Sequence, residues 1–81
     1  MKDANSGSAS ARHRALVVSA EVGRLERRLR AIGPMPRDTL AKTCGADAWH
    51  EGSFEEAIRE GVRSGRLREL PLGWVEAAPL T

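Results

Sequence analysis

The amino-acid sequence predicts a mainly α domain in which three helices are followed by a small C-terminal β-hairpin. Three observations lead there. Ala11, Ala15, Val18, Val22, Leu25, Leu29 and Ile32 recur at alternating steps of four and three, which lays one apolar stripe along a helix. Ser53-Phe54-Glu55-Glu56 has the pattern of a capping box and opens a further helical stripe. Beyond residue 65 the apolar period shortens to two on either side of Leu70-Pro71-Leu72-Gly73-Trp74, a hairpin tip.

Residues 1–11 are polar and low in complexity, so they are expected to form a disordered arm. The first helix is expected over residues 12–32. Arg24, Glu26, Arg27, Arg28 and Arg30 occupy its other faces, and Gly33-Pro34 stops it. Its apolar spacing is also that of a coiled-coil heptad. Residues 22–32 are expected to serve the domain core, while Ala15, Val18 and Val22 would pair with a second copy of the chain. Leu16 and Val17 add apolar surface beside them.

A second helix of about two turns is expected over residues 36–44. Pro36 suits its first turn, Leu40, Ala41 and Cys44 share one face, and Gly45 follows as a C-terminal cap. Met35 suits a one- or two-residue strand ahead of it. Residues 46–52 form a connector in which Trp49 is expected as a core plug. The third helix, residues 53–64, would bury Phe54, Ala57, Ile58 and Val62.

The hairpin is expected over residues 66–77. Pro71 would start a type I turn and Gly73 would take its left-handed position. If Leu70 faces Trp74, then Arg68 faces Glu76 and Leu67 faces Ala77. Leu67, Val75 and Ala77 line one side, interrupted by Glu69. Arg66, Arg68, Leu70, Trp74 and Glu76 line the other.

The order of these elements resembles the winged helix-turn-helix family over roughly residues 18–78. The residues that carry the likeness are Gly33-Pro34-Met35, Leu40-Ala41, Gly45, Ile58, Val62 and Gly65-Arg66-Leu67-Arg68. The eight-residue connector between Gly45 and Phe54 is an enlarged turn, which a winged helix tolerates and a compact repressor-type motif does not. The resemblance implies DNA binding: the third helix, with Arg59 and Arg63, would enter the major groove, and Arg37, Lys42, Arg66 and Arg68 would contact the backbone. Such folds also serve as protein-docking modules.

Composition narrows the remaining classes. The net charge is +2, and of thirteen basic residues only Lys2 and Lys42 are lysine. That ratio usually reflects a GC-rich coding sequence, and it supplies planar guanidinium forks suited to phosphates and carboxylates. No stretch reads as a signal peptide or a membrane span, and a cytoplasmic protein is expected. Cys44 has no second cysteine and is expected to be a buried small hydrophobe. His13 and His50 lie far apart in sequence with no third group indicated. No catalytic residue, metal site or cofactor is therefore expected.

Charge also divides the two functional readings. Between residues 50 and 64, Glu51, Glu55, Glu56 and Glu60 outnumber Arg59 and Arg63. An acidic recognition helix opposes approach to a polyanion. Glu56 engaged in the cap, and Glu–Arg pairs along the helix, would offset this. The expectation is a small DNA-binding regulator or accessory factor, dimeric through its first helix. The alternative is a non-catalytic adaptor whose acidic third helix, Leu70 and Trp74 dock another protein.

Overall fold

The computed structural model describes the backbone of residues 2–79 and the side chains of residues 12–79. Helix α1 (Lys2–Ile32) is followed by strand β1 (Met35–Pro36), helix α2 (Arg37–Thr43), a single 3-10 turn (Ala46–Ala48), helix α3 (Ser53–Arg63), strand β2 (Leu67–Glu69) and strand β3 (Trp74–Ala77). The chain is thus mainly helical, with a small antiparallel sheet.

Helix α1 begins well before residue 12, so the segment expected as a disordered arm is helical from Lys2. Once nucleated, a helix extends at little cost through residues such as Ala4, Ala9 and Ala11. Only the middle of the apolar stripe is buried. Val18, Val22, Leu25 and Leu29 face the core, whereas Ala15 and Ile32 are exposed. Val18 and Val22, expected at a dimer interface, are therefore enclosed within their own chain.

Met35 and Pro36 form the short strand anticipated ahead of α2, but it does not stand alone. It pairs antiparallel with β3 (Met35 with Val75, Pro36 with Trp74), and the sheet order is β1-β3-β2. The hairpin register matches expectation: Leu67 opposes Ala77 and Arg68 opposes Glu76. Leu67 and Val75 consequently point into the core and Trp74 points outward. At the tip, Gly73 is left-handed (φ 77°) and so is Leu72 (φ 66°). Two successive left-handed residues, with the Trp74 N–H donating to the Pro71 carbonyl, make the pattern of a type I′ turn rather than type I. Its twist matches that of the flanking strands.

The capping box does not form. Gly52 is the N-cap of α3, Ser53 is already helical, and no side chain caps the end. With the helix starting one residue early, the Glu56 N–H donates to the Gly52 carbonyl, and the Glu56 carboxylate lies 3.2 Å from Arg14 on α1. The other end of α3 is closed by backbone hydrogen bonds and by the Ser64 hydroxyl, which donates to the Gly61 carbonyl at 3.2 Å. The Arg66 N–H donates to the Gly61 carbonyl and the Gly65 N–H to that of Val62. This six-to-one and five-to-two pairing turns the chain into β2.

Leu25, Leu40, Ile58, Leu67, Val22 and Val75 are the largest fully buried side chains, and Trp49, Phe54 and Cys44 pack around them. Trp49 and Phe54 lie 6.3 Å apart at the connector, where a plug was expected. Each large aliphatic contributes about 1.5–3 kcal/mol of burial. Where α3 meets β2, Gly61 leaves room for Leu67. A Cβ at residue 61 would fall 2.5 Å from Leu67 Cδ1. Gly61→Ala should therefore destabilise the fold by about 1–3 kcal/mol through overpacking, despite alanine's better helix propensity. A urea-unfolding midpoint that rises in this variant would contradict the packing.

Candidate nucleic-acid interface

Helix α3 turns Ala57, Ile58 and Gly61 inward and leaves Glu55, Arg59 and Arg63 exposed on its outer side. The six basic residues expected at DNA divide into two kinds. Arg59 and Lys42 are exposed and hold no ion pair among the described residues. The other four hold carboxylates. Arg37 donates to Glu55 on α3 (3.1 Å) and to Glu69 on β2 (2.7 Å), tying three elements together. Arg63 makes a two-pronged contact with Glu60 one turn back, at 2.9 and 2.6 Å. That contact holds the Glu60 carboxyl below its usual range and raises Arg63. Arg68 pairs across the hairpin with Glu76, its register partner.

Arg66 is the clearest departure. It was expected to track phosphate from the wing, yet it folds back onto α1, where its guanidinium donates to Glu26 (3.0 Å). Glu26 is shared with Arg30 at 2.6 Å, and Arg30 also donates to the Ala78 carbonyl. The Arg30 hydrogen bond, reinforced by Arg66, holds the Glu26 carboxyl low against the opposing effect of burial. Arg66 thus fastens the start of the hairpin to α1.

Of the residues expected at a partner interface, Ala15 and Trp74 are exposed, Leu70 is half-buried, and Val18 and Val22 belong to the core. The most exposed apolar side chain on the hairpin is one not singled out in the sequence: Leu72, 94% exposed at the tip. On α1 the corresponding residue is Leu16.

A second feature was missed. Glu21 is 9% exposed and its Oε1 has no hydrogen-bond partner. It lines a cavity of about 420 Å³ that also collects His13, His50, Glu51 and Glu56 from α1, the connector and α3. Burial raises the Glu21 carboxyl, nearby Arg24 and His50 lower it, and Glu56 raises it. The signal was available: Glu21 sits three residues after Val18 and four before Leu25, on the buried face. Among the described residues no three His, Cys, Asp or Glu side chains are arranged to hold a metal ion.

No helix among the described residues is long and apolar enough to cross a membrane. Comparison with known proteins gives no match: no family model fits the chain, and no curated protein or solved structure is significantly similar to it.

Two of the three perturbed carboxylates, Glu21 and Glu26, pull stability in opposite directions with pH. Folding favours the protonated form of Glu21, so its contribution is lost as pH rises from the ordinary carboxylate range through its raised value. Folding favours the charged form of Glu26, so its contribution is lost as pH falls through its depressed value. Glu21→Gln removes the charge that burial disfavours, so it should stabilise the protein at pH 7, and this advantage should shrink toward pH 4 as Glu21 itself becomes protonated. Thermal melts of both proteins across that range check it, and a pH-independent difference would contradict the buried-carboxylate account.

Proposed function

We propose that this chain is a non-catalytic winged-helix module that binds duplex DNA as a small cytoplasmic regulator or accessory factor. The observation that carries the reading is the topology. A short strand between the first two helices pairs with the last strand of a C-terminal hairpin, in the order β1-β3-β2. That layout is compatible with a winged helix, in which α3 would be the recognition helix and β2–β3 the wing. Arg59 is central to the reading, because it is exposed on α3 and has no carboxylate to give up. Arg37, Arg63 and Arg68 can transfer to phosphate, since exposed ion pairs are worth only about 0–1 kcal/mol. Arg66 stays with α1 in this scheme.

A docking role for the same fold is favoured by one specific observation. The hairpin tip presents Leu72 and Trp74 to solvent beside ion pairs that neutralise the wing. A second copy of the chain remains a partner through α1. The residues that would meet it are Ala15, Leu16 and Val17, which are exposed, and not Val18 and Val22.

Fluorescence anisotropy of a mixed-sequence labelled duplex tests the DNA reading. Binding should weaken steeply between about 50 and 200 mM salt. Arg59→Gln should reduce the affinity and lower the salt slope by about one. No binding at low salt with tens of micromolar protein would overturn the reading and leave the docking role, tested next with Leu72→Ser and Trp74→Ser.

A further inference from the structure

Six of the eleven arginines, Arg14, Arg30, Arg37, Arg63, Arg66 and Arg68, hold a carboxylate. Three of the other five, Arg24, Arg27 and Arg28, lie within one turn of α1, all exposed and without an ion pair among the described residues. Side chains three and four apart on a helix are neighbours, so these three positive charges repel one another. Elsewhere on α1, Arg30 holds Glu26 and Arg14 reaches Glu56, while Arg12 stands alone without an ion pair among the described residues. This turn therefore gathers three guanidinium groups that hold no ion pair among the described residues, with the Glu21 carboxyl near Arg24 as their acidic neighbour.

Its place in the fold is distinct from the α3–hairpin face. Val22, Leu25 and Leu29 turn toward α3 and the sheet. Arg24 stands two residues from Val22, about 200° around the helix, on the outward side. A groove of about 300 Å³ lies there, walled by Arg24, Arg27, Arg28 and Ala31 of α1 and by Thr43 and Cys44 at the end of α2. The C-terminal end of α2 carries the negative end of a helix dipole, which disfavours a lone anion settling inside. The Thr43 hydroxyl is already donating to the Thr39 carbonyl. Long guanidinium arms at the rim instead suit a chain of phosphates passing outside. Arg24 and Arg28 are separated by about 6 Å along the helix axis, just under two axial phosphate repeats of about 3.4 Å on one strand.

We propose that Arg24, Arg27 and Arg28 form a second phosphate-binding surface that holds a nucleic-acid duplex backbone, separate from the α3–hairpin face. This rests on the DNA-binding reading above. The surface gives no base readout. It adds affinity and salt dependence without sequence preference.

The test compares the full chain with Arg24→Gln/Arg27→Gln/Arg28→Gln and, separately, with Arg59→Gln/Arg63→Gln, after thermal melts show that each variant is folded. Binding to a mixed-sequence duplex is measured across about 50–200 mM salt. The triple variant should lose affinity on the order of tenfold and its salt slope should fall by about two to three, one phosphate for each arginine. Wild-type binding with an unchanged slope in the triple variant would overturn this surface and leave the α3 face intact. A loss in the triple variant with no effect of the α3 pair would keep this surface and overturn the α3 reading. No wild-type binding would overturn both. Inorganic phosphate that displaces duplex far better than chloride at equal ionic strength, in wild type but not in the triple variant, would show a small-anion pocket and overturn the backbone assignment. Vesicles of phosphatidylserine and phosphatidylcholine provide the last arm. Arginine-dependent binding to these, with duplex binding unaffected in the triple variant, would also overturn it.

Discussion

A chain of 81 residues has few large apolar side chains to bury, and α1 supplies four of them in a row at Val18, Val22, Leu25 and Leu29. Three helices and a sheet of two- to four-residue strands have no other common wall. Helix α3 settles on this stripe through Ala57 and Ile58, with Gly61 narrow enough to admit Leu67 from the next strand. β3 then lies against α1 with Val75 fully buried, and its two edges take β1 on one side and β2 on the other. A strand of two residues has almost no stability of its own. β1 exists because Met35 is buried by the same core that holds Val75.

With the apolar contacts confined to the interior, the outer joints are made by charge. Arg37 joins α2, α3 and β2, Arg66 joins the hairpin to α1 through Glu26, and Arg14 joins α1 to the start of α3. Each pair is at least partly exposed, so each contributes modestly to stability. Their common effect is electrostatic: of the five arginines expected at DNA from the sequence, all but Arg59 have their charge offset in space. A polyanion approaching α3 must draw Arg63 and Arg37 away from Glu60 and Glu55, and those carboxylates remain behind to repel it. The acidic excess on α3 thus persists in the fold as a brake on nonspecific binding at that face.

Periodicity revealed most of the architecture. The stripe on α1, the inward set on α3 and the register of Leu67 with Ala77 all follow from spacing that burial enforces. The pieces that escaped are those decided by partners distant in sequence. Ser53 and Glu56 satisfy the local capping pattern, yet Arg14, forty-two residues away, takes the carboxylate. Arg66 reads as one of five alternating hairpin positions, yet Glu26 claims it from forty residues away. Val18 and Val22 fit a heptad as well as a core, and spacing alone does not separate the two. Leu72 escaped for a different reason: a bulky residue at positive φ is disfavoured, so the turn chemistry pointed to Gly73 alone.

The same distinction bears on where binding energy can come from. An arginine engaged by a carboxylate has to exchange one anionic partner for another, and only the difference appears in the affinity. An arginine surrounded by its own kind gains twice on meeting phosphate, by acquiring a partner and by shedding repulsion from its neighbours. Arg27 and Arg28 are in the second situation, Arg24 shares it apart from its neighbour Glu21, and Arg59 holds no ion pair among the described residues. A face chosen for shape, α3 and the hairpin, and a face chosen for uncompensated charge, the outer side of α1, need not coincide in one small domain. Under the DNA-binding proposal, orientation would be set by how α3 and the hairpin fit the groove, whereas the strength of a salt-sensitive encounter would follow the guanidinium groups that hold no ion pair.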